Sequence, residues 1–202
     1  MDKTKAADEI INAALPLVVY DGWSMLTLHQ AAMQAGYKKT DVIRVFPGGA
    51  MDAVEWYLHR CDTRMSEALA DYSMDTMKLR QRIALAVRTH IELHNGCKEA
   101  ARRTAAFLSL PLYATTGLGL LYRTVDSMWY AVGDTSTDIS FYTKRMSLGA
   151  IYSSTFLHYL DDESAGHENS WAFLERRIDD IMAFGKIKRG LQDWLKARQG
   201  FA

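Results

Sequence analysis

A chain of 202 residues, 49% hydrophobic and 24% charged, can bury a sizeable core and has the length of one domain or two small ones. Its 24 basic and 24 acidic side chains cancel, which excludes a global field that would draw it onto nucleic acid or an anionic membrane, so any such binding has to rest on a local patch. Cys61 and Cys97 lie in separate helical patterns and read as reduced thiols, and residues 1–9 lack both the apolar core of a signal peptide and the Arg-rich, acid-free face of a transit sequence.

The longest apolar run, Ala13 to Tyr20, is far below the ~20 residues needed to span a bilayer, and a soluble chain is expected. Residues 6–20 place Ala6, Ile10, Ala13, Ala14 and Leu17 on one helical face, with Asp21-Gly22 as the stop. Thr27 is placed to cap a short helix carrying Leu28, Ala31, Ala32 and Ala35. Gly36 turns the chain, and Lys39-Thr40-Asp41 opens a second short helix that ends at Pro47-Gly48-Gly49. The layout is helix-turn-helix. Within residues 1–50, Lys3, Lys5, Lys38, Lys39 and Arg44 are balanced by Asp2, Asp8, Glu9, Asp21 and Asp41. The basic surplus that neutralises phosphates in DNA-binding modules is missing, and DNA binding is not expected.

From Ala50 onward the periodicity is helical. Tyr57 and Cys61 lead into Met65 and Leu69, a second helix runs near Leu79 to Leu93, and Ala100 to Leu110 forms a short one ended by Pro111. Further helices are expected over Leu112 to Val132, Ile139 to Leu160, Trp171 to Phe184 and Ile187 to Lys196, with residues 161–166 as a solvated acidic loop. The fold class is all-α, divided into a helix-turn-helix module (1–49), a helical ligand-binding and dimerisation domain (50–185) and a terminal helix (186–202).

No catalytic constellation emerges. A di-iron oxidase needs paired Glu-x-x-His steps, and Glu55 with His59 is a single, unmatched pair. Phosphate loops and Gly-x-Ser-x-Gly elbows are absent, and Gly117-Leu118-Gly119 lacks the third glycine of a dinucleotide site. His29, His90, His94, His158 and His167 read as surface or partner-paired histidines. Neither an enzyme nor a bound cofactor or metal is expected. The helix from Leu112 to Val132 is apolar on more than one face, which fits full burial or contact with a ligand. Ile187, Leu191, Trp194 and Leu195 share a face flanked by Lys186, Lys188 and Arg189, a basic amphipathic pattern that fits a membrane surface or folds back on the core.

Two segments carry a family likeness. Thr27, Ala31, Ala32, Ala35, Gly36, Phe46 and Pro47 resemble the N-terminal module of TetR-type repressors, which departs here where DNA would be read, at Asp41-Val42-Ile43-Arg44 and Gly48-Gly49. Asp126, Trp129, Gly133, Asp134, Ser136, Thr137, Asp138, Phe141, Tyr142, Thr143, Lys144 and Arg145 fit D-x-x-W-x-x-x-G-D-x-S-T-D-x-x-[WF]-Y-T-[KR]-R and resemble the TetR-like lipid-binding accessory proteins of ubiquinone biosynthesis. That resemblance implies a TetR-like homodimer that holds an isoprenoid quinone precursor or related lipid in an apolar cavity. The lipid would be presented to the di-iron demethoxyubiquinone hydroxylase, with the protein cytoplasmic and peripheral at the inner face of a bacterial cytoplasmic membrane. It assigns lipid contact to Leu118, Leu121, Tyr122, Val125, Met128, Trp129 and Met146. Partner docking falls to Asp134, Phe141, Tyr142 and Arg145, and membrane contact to Lys186, Ile187, Lys188, Arg189, Leu191, Trp194 and Leu195. The small residues Gly149, Ala150, Ser153 and Ser154 would admit a close helix in a two-fold dimer. The alternative is a ligand-responsive TetR-type repressor.

Overall fold

The computed structural model describes residues 2–133 and 139–181, without the side chains of 139–141, and its regular elements are all helical. Helix α1 (Lys3–Asp21) starts where the Asp2 carboxylate accepts from the amides of Thr4 and Lys5. It ends at Gly22, whose φ of 67° is the left-handed conformation that glycine adopts at little cost. Helix α2 (Met25–Gln34) is capped by Ser24 and not by Thr27. Ser24 has the extended backbone a cap needs, and its Oγ accepts from the Thr27 amide at 3.1 Å. Thr27 is fully buried one turn in, donating its hydroxyl to the Gly22 carbonyl. In α3 (Lys39–Val45) the Asp41 carboxylate turns back to accept from the Lys38 amide.

The larger helices are α4 (Ala50–Ala70), α5 (Leu79–Glu92), α6 (Lys98–Leu108), α7 (Ala114–Ala131), α8 (Ile139–Asp161) and α9 (168–181). Two apolar clusters hold them. The first joins Ile10, Leu28 and Phe46 of the N-terminal helices to Val54 and Tyr57 of α4 and Ala100 of α6, so the helix-turn-helix shares its core with the central helices. Hydrogen bonds tie the same seam: Trp23 Nε1 donates to Thr104 Oγ1 at 2.9 Å, and Trp56 Nε1 donates to Asp8. The second cluster packs Met65, Ile91, Val125, Met128, Leu148, Tyr159 and Leu174.

Helix α9 is anchored by Arg80, which pairs with Glu175 and Asp179, and by the Arg88 guanidinium over the Trp171 ring. The acidic loop before it is not simply solvated. Asp162 is buried, and its carboxylate accepts from the amides and hydroxyls of both Ser164 and Ser170. Burial alone would push its pKa up. The four donated bonds outweigh that and hold it well below the usual carboxylate range. None of the described helices is long and apolar enough to cross a membrane.

The approach of α6 to α7 positions the site. At Gly117 a Cβ would stand 3.0 Å from the Leu108 carbonyl oxygen, so a larger residue would push the start of α7 a few tenths of an ångström away from the end of α6.

Candidate functional site

A cavity of about 420 Å³ lies between α4, α6, α7 and α8 and the turn that follows α5. Small side chains open it: Ala101 and Ala105 on α6, Gly117 on α7 and Ser153 on α8 face inward, and Leu120, Leu121 and Phe156 supply apolar walls. Its mouth is also apolar, because the lining residues Leu118 and Leu157 are 68% and 59% exposed. The volume falls within the about 300–1,000 Å³ typical of small-molecule sites.

One end of the cavity is polar. Tyr57 of α4, His94 in the turn after α5 and Tyr152 of α8 all line it and are all buried. The Tyr57 hydroxyl lies 2.7 Å from His94 Nδ1 and 3.6 Å from Cys97 Sγ. The Tyr152 hydroxyl lies 3.1 Å from His90 Nδ1, and His90 Nε2 lies 3.1 Å from the buried Asp62 carboxylate. The two imidazoles meet edge to face at 5.7 Å, and Phe156 packs on His94 in the same way. His94 Nε2 is buried and has no hydrogen-bond partner among the described residues.

Burial sets the protonation of this end. Loss of solvation, with His90 beside it, brings His94 down to about 3, so the ring is neutral in ordinary conditions. The same loss of solvation raises the pKa of Tyr57 and of Tyr152 and pushes the Cys61 thiol up to about 12. The row Asp62, His90, Tyr152 has the order of a carboxylate–imidazole–hydroxyl relay, yet its hydroxyl is made harder to deprotonate, which is the opposite of an activated nucleophile. No group of three metal-binding side chains occurs among the described residues. Among the described residues the cavity combines apolar walls with buried hydrogen-bonding groups at one end.

The sequence-predicted residues distribute over three environments. Leu118 and Leu121 line the cavity. Val125, Met128 and Trp129 are buried in the second core cluster, outside the lining, while Tyr122 and Met146 are exposed, the latter at 78%. Tyr142 is 66% exposed on α8. Arg145, one turn on, is buried, with Nε 2.6 Å from Asp126 Oδ1. Lys144 Nζ sits 5.5 Å from the centre of the Trp129 ring. Asp134, the Phe141 side chain, and Lys186, Ile187, Lys188, Arg189, Leu191, Trp194 and Leu195 lie outside the described residues. Tyr57, His94, Tyr152 and Phe156 also line the cavity and belong to no sequence motif. The one available signal was spacing, since His90/His94 and Tyr152/Phe156 are both four apart on a helical pattern.

Comparison with known proteins bears on the same segment. Residues 114–185, which begin at α7 and include α8 and α9, match the COQ9 family model. The mitochondrial ubiquinone biosynthesis protein COQ9 of Homo sapiens is 31% identical over 183 residues, covering 87% of this chain and 57% of that protein. Its counterpart in Drosophila melanogaster is 30% identical over 178 residues, covering 86% of this chain and 54% of the fly protein. COQ9-B of Xenopus laevis is 32% identical over 187 residues, covering 87% and 62%. The chain therefore spans between half and two thirds of the length of these relatives. A TetR transcriptional regulator from Nitrosomonas europaea superposes with a TM-score of 0.70 at 16% identity, covering 86% of this chain and 95% of the regulator, a likeness of fold.

Proposed function

We propose, from its similarity to the COQ9 proteins of ubiquinone biosynthesis, that the chain is a non-catalytic accessory protein of that pathway, taking up an isoprenoid quinone precursor or a related lipid. The observation that carries this reading is the apolar cavity of about 420 Å³, two of whose walls, α7 and α8, belong to the segment the family model matches. A prenyl tail is expelled by water, and a protein that encloses part of it lowers the cost of moving the lipid to an enzyme. The cavity volume of about 420 Å³ lies within the about 300–1,000 Å³ of small-molecule sites. That is room for a substituted ring and the start of a tail, with the rest leaving past Leu118 and Leu157.

Delivery would be to the di-iron demethoxyubiquinone hydroxylase, through a patch formed by Asp134, Phe141, Tyr142 and Arg145. An exposed tyrosine beside a guanidinium already held by Asp126 has the composition of an interaction hot spot and little side-chain entropy left to lose. Residues 186–195 would supply peripheral membrane contact and α8 a two-fold dimer face. The location would be the inner face of the cytoplasmic membrane in a bacterium, corresponding to the mitochondrial location in the names of the relatives. Mass spectrometry of organic extracts, from protein purified out of its native host and from a variant truncated before Lys186, tests this. A co-purified isoprenoid in the full chain, diminished on truncation, is expected; empty extracts together with no uptake from isoprenoid-loaded vesicles would refute it. A ligand-responsive repressor is the competing reading, favoured by exposed Lys39 and Arg44 on α3 and opposed by exposed Ile43 beside them. Steep salt-dependent binding to operator DNA would support it.

A further inference from the structure

A neutral imidazole has one N–H and one lone pair, so the partner of one nitrogen fixes the role of the other. Tyr57 keeps its phenolic proton, and within reach it has the His94 Nδ1 at 2.7 Å and the Cys97 sulfur at 3.6 Å, a weak acceptor. Donation of the hydroxyl to Nδ1, the nearer and stronger of the two acceptors, places the His94 proton on Nε2. That nitrogen is a buried donor without a partner among the described residues, on a ring that lines the cavity. Buried donors in native proteins are rarely left so.

The neighbouring row complements it. The Asp62 carboxylate accepts from His90 Nε2, and in a neutral His90 ring Nδ1 is then the acceptor for the Tyr152 hydroxyl. Tyr152, also a lining residue, is thus committed as a donor to His90 and keeps oxygen lone pairs for another group. The polar end presents a donor and an acceptor on buried, packed rings. Among the described residues no lysine or arginine lines the cavity, so a carboxylate or phosphate head would find no compensating charge from them.

We propose that the polar end of this cavity is a head-group site for a neutral, oxygen-bearing ring, in which His94 Nε2–H donates to a carbonyl or ether oxygen and the Tyr152 oxygen accepts from a ring hydroxyl where one is present. This rests on the lipid-carrier reading and adds to it the contact that selects the cargo. A quinone engages the donor, a phenol or hydroquinone engages both groups, and a bare prenyl hydrocarbon engages neither.

The test uses the full chain and two probes with the same tail, a diprenyl benzoquinone and the diprenyl hydrocarbon without a head, each measured by displacement of a fluorescent apolar dye. His94→Phe is expected to weaken the quinone about tenfold, equivalent to ~1.4 kcal/mol, and to leave the hydrocarbon unchanged. An equal change for both probes, or none for either, would overturn the head-group site. Because the substitution also removes the acceptor of Tyr57, the wild-type protein labelled with ¹⁵N-histidine gives an independent reading. The expected result is an Nε2–H tautomer at His94 whose resonance moves with the quinone and not with the hydrocarbon; an Nδ1–H tautomer or a resonance indifferent to the quinone would overturn it. Wild-type protein that binds neither probe would refute the carrier reading itself, whereas binding both without discrimination would refute the head-group site alone.

Discussion

Acidification reads the buried His94 directly. Its pKa is about 3 in the folded protein against an ordinary value of 6.5, so as pH falls below 6.5 the unfolded chain takes up a proton that the folded chain refuses. A histidine depressed in this way contributes no penalty at neutral pH and an increasing one toward its folded value. Between about pH 7.5 and pH 5 the loss is ~2 kcal/mol from this one group, a large share of the ~5–15 kcal/mol by which a domain is stable. The groups facing the ring are Tyr57 from α4, His90 from α5 and Phe156 from α8, with Cys97 beyond the Tyr57 hydroxyl. Asp162 does not enter this window. Its pKa is depressed below 3.8, so the stability it contributes is present above that value and lost only in stronger acid. Urea unfolding of the wild type and His94→Phe at both pH values is the assay. The wild type should lose ~2 kcal/mol more than the variant, and equal losses would refute both the burial argument and the neutral tautomer built on it.

Other expectations follow from named contacts. Leu121→Trp places an indole in the cavity and should abolish lipid retention, read by extract mass spectrometry, while a cooperative thermal transition persists. Asp162→Ala removes the acceptor of four bonds and should destabilise by ~2–3 kcal/mol near neutrality, read by urea titration, with the gap to wild type closing in strong acid. Tyr142→Ala should weaken binding to the hydroxylase in a pull-down titration yet shift stability by less than ~0.5 kcal/mol, because the ring is exposed; a large loss of stability would make it a core residue.

The course of the helices was legible because apolar residues recur at helical spacing over long stretches, and the helix-turn-helix was legible from Gly36 and Pro47. Finer features depended on contacts between distant residues. Ser24 and Thr27 are chemically equivalent caps, and only the extended backbone at Ser24 decides between them. Asp162 reads as one of three solvated acids until Ser170, eight residues away, folds back on it. Helix α7 is apolar on several faces because its first half meets the cavity at Gly117, Leu118 and Leu121 and its second half meets the core at Val125, Met128 and Trp129. Its sequence shows the surplus without showing that division. The polar end was hidden most completely. His94 packs against Tyr57 of α4, His90 of α5 and Phe156 of α8, and apart from its four-residue spacing from His90 the local sequence does not signal this.

The central claim is that the cavity carries a prenyl lipid with a neutral oxygen-bearing head, and native mass spectrometry of the intact protein from its own host tests it most directly. The account predicts an adduct of that class in the wild type, absent from Leu121→Trp. A wild-type protein found only at its unliganded mass, and remaining so after incubation with vesicles containing prenyl quinone, would contradict it.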